Sequence, residues 1–116
     1  MALHLGMITT DSTDPVPLAR WWAEILQGEV VAENEGWFAV VVADSGTLAF
    51  QKVDAVTPGK NKVHIDLVVD GDLDAERDRL VAAGAGDLGE RGANGGRWYT
   101  LADPQGNEFC SAPEDH

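Results

Sequence analysis

Apolar and polar residues alternate along 62–70, KVHIDLVVD, so that Val63, Ile65, Leu67 and Val69 share one face and His64, Asp66 and Val68 the other. One face requires a core, and the mixed second face suits a strand that lines a half-open cavity. A related stretch, ALHLGMITTD at 2–11, sets His4 between Leu3 and Leu5 and ends at an aspartate before a proline-started helix. After a first strand over Leu3–Thr10, Asp14 is placed to cap a helix and Pro15 suits its first turn. Leu18, Trp22, Ile25 and Leu26 recur at helical spacing, and Gly28 is the natural stop. From Glu29 to Val53 the pattern becomes β-branched and aromatic, broken at Gly36 and at Asp44-Ser45-Gly46, which predicts three antiparallel strands.

The second half runs the same way. The stretch 54–62, DAVTPGKNK, holds Pro58-Gly59 and reads as a linker. Behind the His64 strand, Asp72 caps a helix with Leu73, Leu80 and Val81 on its buried side and Gly84 at its end. A weakly defined segment over Gly86–Arg91, a glycine-rich turn at Gly92–Gly96, a strand over Arg97–Ala102, a turn at Asp103–Gly106 and a last strand over Asn107–Ala112 follow. His4 and His64 are 60 positions apart, as are Gly36-Trp37 and Gly96-Arg97, while Phe50-Gln51 and Phe109-Cys110 are 59 apart. This near-constant offset predicts an α+β protein of two tandem βαβββ modules, over about 1–54 and 62–113, in one domain spanning 1–116.

Composition narrows the partners. The chain has 116 residues, enough for one ordinary domain, and 44% of them are apolar. Twenty acidic against eight basic side chains give a formal charge of -12, which disfavours nucleic acid and anionic membranes. With Cys110 as the one cysteine, no intrachain disulfide forms. No basic leader precedes the first apolar run and no run is long enough to span a bilayer, so a cytoplasmic protein is expected.

The paired modules, LHLGMITTD, KVHIDLVVD and the closing LADPQGNEFC together resemble the vicinal oxygen chelate superfamily, which includes glyoxalase I, bleomycin- and fosfomycin-resistance proteins and ring-cleaving dioxygenases. The resemblance covers essentially the whole chain, and DPQGNEF is its most specific piece. It implies a glyoxalase/bleomycin-resistance-type fold with a concave cleft, but no single activity. Metal ligands in such proteins come from the first and last strands of each module. Carried over by position they are His4, Gln51, His64 and Cys110, with cysteine where glutamate is usual and Glu108 two residues earlier on the same face. Such a set would favour zinc or iron(II), with Glu108 or Asp66 as proton acceptor in a glyoxalase-like isomerisation or lyase reaction.

Plainer readings stand beside these. His64 also serves as a hydrogen-bond donor to Asp66 or water, Gln51 as a polar pocket group and Cys110 as a small buried hydrophobe. Trp22 belongs to the core, and Trp21 sits partly exposed or at a contact. Trp37 and Trp98, on corresponding strands, are candidates for stacking on a planar ligand; Arg97 and Tyr99 share the face opposite Trp98, so only one set looks into a cleft. The glycine-rich 92–96 segment leads into a strand and reads as a flexible loop or lid. Two functions follow: a metal-dependent enzyme acting on a small substrate, or a metal-free protein that sequesters an antibiotic-like or aromatic compound. A homodimer is expected in either case, since exposed edge strands gain from pairing.

Overall fold

In the computed structural model, which describes residues 5–59, 61, 63–93 and 95–113, the chain divides into two compact units between Pro58 and Gly59. Each unit builds one four-stranded mixed sheet with one helix, in the order β-α-β-β-β.

In the first unit β1 (Ile8–Ser12) runs parallel to β4 (Gly46–Lys52), and β4, β3 (Phe38–Ala43) and β2 (Glu29–Ala32) continue antiparallel, giving the sheet order β1-β4-β3-β2. Helix α1 (Pro15–Leu26) lies on β3 and β4. Its apolar stripe of Leu18, Ala19, Trp22 and Ile25 is buried, with Ala39, Val41 and Phe50 buried in the strands. Trp21 is buried too, its ring edge-on to Trp22 with centroids 5.2 Å apart. Asp14 stands at the N-cap position without a side-chain capping bond; its N–H instead donates to the buried Ser12 Oγ at 3.0 Å. At the other end Gln27 takes the left-handed conformation, with φ 55°, and the Gly28 N–H donates to Ala23 O. Gly28 is needed for a different reason than helix termination. A Cβ there would lie 2.5 Å from Val42 O, so only glycine lets the chain pass that close to β3.

The second unit repeats the layout with β5 (Ile65–Val69), α2 (Leu73–Ala82), β6 (Gly86–Ala93), β7 (Gly96–Ala102) and β8 (Glu108–Pro113). β5 is parallel to β8 and the sheet order is β5-β8-β7-β6. Asp72 caps α2, accepting from the N–H groups of Asp74 and Ala75 at 2.9 and 3.2 Å. Acidic residues in its first turn and Arg79 in its last complement the helix dipole. Leu73 and Leu80 are its buried residues; Val81, expected on that side, is exposed. The stretch over 86–91 without clear periodicity becomes part of an eight-residue strand, because β7 supplies pairing that a local pattern does not reveal. In the glycine-rich segment, Gly92 and Ala93 end β6 and Gly96 opens β7, so this is a hairpin connection between paired strands.

The DPQGN turn is organised by one side chain. Asp103, almost fully buried, accepts from the N–H groups of Gln105 and Asn107, both at 2.9 Å, and from the Asn107 carboxamide. Its own N–H donates to Asn107 O, and Gly106 takes φ 89° to bring its N–H onto Asp103 O. The five-residue connection is closed from inside, which sets where β8 starts.

Candidate functional site

Strand alternation separates two faces in each sheet, and the packing of the helices identifies which of them is the helix side. In β8, Phe109 and Ser111 are fully buried on the helix side, whereas Glu108 and Cys110, alternating with them, are half-buried and face the side without a helix. Cys110 stands opposite Asp66 of β5 and Thr100 of β7, and its Sγ lies 3.9 Å from Thr100 Oγ1. Val68 and Trp98 lie on this open side as well, two residues on from Asp66 and two before Thr100. His64 directly precedes β5, is exposed and, continuing the alternation, falls on the side of Asp66. Asn61 holds the chain ahead of it. The Asn61 carboxamide oxygen accepts from Glu108 N–H at 3.0 Å, and its amide donates to the carbonyls of Glu108 and Val63. His64, Asp66, Glu108 and Cys110 thus share one open sheet face on two adjacent strands.

The first unit has a counterpart. Asp11 of β1, Gln51 of β4 and Phe38 of β3 are register neighbours in one row on the open side, with Thr9 and Ala49 in the next. Superposing the rows through the buried pair Phe50 and Phe109 makes Asp11 the equivalent of Asp66 and Gln51 that of Cys110. In this register Thr9 stands where His64 does, three residues separating Asp11 from the start of α1 and six separating Asp66 from the start of α2. His4 lies outside the described residues. Asp11 reads in the sequence as a strand terminator. The signal that identifies it is the match of Thr9-Thr10-Asp11 to His64-Ile65-Asp66, visible only when the two phenylalanines anchor the comparison.

Trp37 leaves the strand alternation. Its backbone is helical, φ -100° and ψ -16°, and its ring lies 5.8 Å from that of Phe38, with 58% of the residue exposed. Trp98 faces the open side of the second sheet opposite Arg91.

Arg97 and Tyr99 lie on the helix side. The Tyr99 hydroxyl donates to Asp74 of α2, and the Arg97 guanidinium grips the same carboxylate with two bonds at 2.9 and 3.1 Å. Arg77 covers the Tyr99 ring at 4.6 Å and pairs with Asp78 and Asp87. The Arg97 hydrogen bonds, then that of Tyr99, hold the Asp74 carboxyl at about 2; the tyrosine hydroxyl is pushed up by the same carboxylate. This network clamps α2, which has little apolar surface of its own, onto β7. A carboxyl depressed in the folded state contributes stability above its unfolded value and loses it as the pH falls through the folded one. Amide protection of α2 is therefore expected to weaken between about pH 4 and pH 2, and Asp74→Asn to lower it already at pH 7 and flatten that dependence. Hydrogen exchange across the pH range checks both.

The donors do not by themselves complete a metal site. Among the described residues no three of His, Cys, Asp or Glu gather closely enough to hold an ion. The four on the second open face contribute at most part of a coordination shell.

Compared with known proteins, residues 7–112 match the family model described as a glyoxalase-like domain. Among solved structures, a glyoxalase-related enzyme from Fulvimarina pelagi is similar with TM-score 0.76 at 23% identity, over 97% of this chain and 88% of that one. A glyoxalase/bleomycin resistance protein/dioxygenase family enzyme from Burkholderia phytofirmans PsJN reaches TM-score 0.80 at 17% identity, over 96% and 98%. A mutant of the fosfomycin-resistance protein of Listeria monocytogenes, complexed with Mn(II) and a dihydroxypropylphosphonic acid, reaches 0.78 at 17%, over 97% and 90%. No curated protein matches the chain.

Proposed function

Because this chain belongs to the glyoxalase-like domain family, we propose that it binds a small organic molecule on the open faces of its sheets without needing a metal to do so. One observation carries the reading. In each unit an aspartate of the first strand stands opposite the residue of the last strand, Asp11 by Gln51 and Asp66 by Cys110, on the face that its helix leaves uncovered and among Phe38, Val40, Val68 and Trp98. Apolar and aromatic surface with a few converging polar groups is what small-molecule recognition requires. A neutral carboxamide and a thiol at the last-strand positions suit hydrogen bonding better than charge compensation of a divalent ion. Among the described residues no helix is long and apolar enough to cross a membrane. The edge strand β2, with Val31 exposed, supports homodimer formation by strand pairing.

The second reading, a divalent-metal-dependent isomerase or lyase using zinc or iron(II), is favoured by the shared face of His64, Asp66, Glu108 and Cys110, and needs a further donor such as His4. Glu108 or Asp66 would then take the substrate proton.

Elemental analysis of protein purified without an affinity tag separates the two. The binding reading expects well under one equivalent of metal, no change with His64→Ala, and ligand-induced thermal shifts that survive a chelator. About one equivalent of zinc or iron that disappears in His64→Ala would establish the second reading instead.

A further inference from the structure

The segment before Trp37 is unusual. Asn34, Glu35 and Gly36 take φ of 45°, 56° and 91° in succession, and two of them are not glycine. Three contacts hold this left-handed run in place. The Asn34 side-chain amide donates to Phe38 O at 2.7 Å, reaching over Trp37; the Gly36 N–H donates to Glu33 O at 2.8 Å; and Glu33 is itself paired with Arg20 of α1. Beyond the run, Trp37 N–H donates to Asn34 O, and Trp37 O accepts from Lys52 N–H at 2.8 Å. A strained conformation persists only where its surroundings enforce it, and its result here is a tryptophan turned out of the strand alternation, mostly exposed, beside Phe38.

Phe38 opens the row that continues through Gln51 to Asp11. With adjacent strands about 4.8 Å apart, this row spans about 10 Å from Phe38 to Asp11, the length of a two- or three-ring molecule. It presents an indole and a phenyl ring at one end, a carboxamide in the middle and an exposed carboxylate at the other. Lys52, the nearest cation in sequence, alternates to the helix side of β4.

We infer that this row of the first unit is a binding site for planar organic cations, with the Asn34–Gly36 turn as the device that positions Trp37 for stacking. The inference rests on the small-molecule reading above and names its ligand class. Aromatic faces attract a delocalised cation, Asp11 supplies the counter-charge, and the chain's formal charge of -12 raises the local concentration of cations and repels anions. Asn34 is a positioning residue, acting on the ligand through Trp37.

Calorimetric titration with two three-ring dyes tests the site: 9-aminoacridine, a cation at neutral pH, and 9-anthracenecarboxylate, an anion. The cation is expected to bind at least about tenfold more tightly, and Trp37→Leu to weaken it by about tenfold. Asp11→Asn should reduce the preference to about threefold or less, while Asp44→Asn, removing the same charge at the β3–β4 hairpin tip, leaves it in place. Asn34→Gly permits the left-handed backbone but removes the tether. It should weaken the cation about fivefold at an unchanged melting temperature. In protein carrying 5-fluorotryptophan, its Trp37 fluorine resonance should broaden while the other three tryptophans stay put.

Equal affinity for both dyes, or equal effects of the two aspartate substitutions, overturns the cation site but leaves small-molecule binding standing. A Trp37 resonance indifferent to Asn34→Gly overturns the positioning role. Failure of both dyes to bind overturns the whole inference, and the broader reading is then decided by its own metal and ligand measurements.

Discussion

Trp22→Ala is expected to lower stability by about 3–5 kcal/mol, out of a total that for domains of this size is about 5–15 kcal/mol. Trp22 is 1% exposed and is the largest fully buried side chain among the described residues. It lies on the face of α1 that packs against β3 and β4, edge-on to Trp21. Ala39, buried on the helix side of β3, is too small to fill the space an indole leaves, so a cavity remains alongside the lost transfer energy. Urea unfolding should show the drop, and residue-resolved hydrogen exchange should place the lost protection in α1, β3 and β4. Trp22→Phe, which keeps most of the volume, is expected to cost clearly less. Equal costs for the two substitutions would mean that the space is not tightly filled.

Asp103→Ala is expected to cost about 2–4 kcal/mol and to disturb the open face of the second unit at the same time. The buried carboxylate accepts from the N–H groups of Gln105 and Asn107 and, on both of its oxygens, from the Asn107 side-chain amide nitrogen, so its removal leaves these donors without that acceptor. The next residues are Glu108 and Cys110, whose register against β7 and β5 begins where that turn ends. A slip of one residue would exchange Cys110 with Ser111 across the sheet. Asp103→Asn retains one acceptor oxygen and is expected to cost about 1–2 kcal/mol. Thermal unfolding reads the first effect. The rate of thiol labelling of Cys110 reads the second, and it should rise in Asp103→Ala at temperatures where the protein is still folded. An unchanged labelling rate would show that the turn supports stability alone.

Much of the architecture is legible in local pattern. The 3.6-residue spacing of Leu18, Trp22 and Ile25, the Asp72 cap, the Asp44-Ser45 turn and the repeat of β-α-β-β-β all follow from short-range rules that tertiary structure leaves intact. DPQGN is legible as a turn, and its likeness to a family motif correctly marks the fold. Its role is structural, since Asp103 spends both oxygens on its own loop.

What alternation cannot supply is the identity of the faces. Arg97 and Tyr99 separate from Trp98 in any strand, but only the docking of α2 and the position of Asp74 on it put the first two on the helix side. Register behaves likewise. A constant offset suggests His4 as the partner of His64, whereas pairing through Phe50 and Phe109 sets Thr9 there, because one strand-to-helix link is shorter than the other. Trp37 escapes any periodic reading, since its direction comes from three left-handed residues held by a side chain four positions away from its acceptor.

The amino-acid order by itself determined the two helices and most of the strands, β6 excepted, that the unit is duplicated, and that the chain is acidic. These depend on neighbours within a few positions or on charge summed over the whole chain. The tertiary structure alone decided which of two alternating faces lies under a helix and which stays open, and therefore which carboxylates, rings and thiol share a surface. Strand partners are tens of residues apart, and the period of two is the same whichever side is buried.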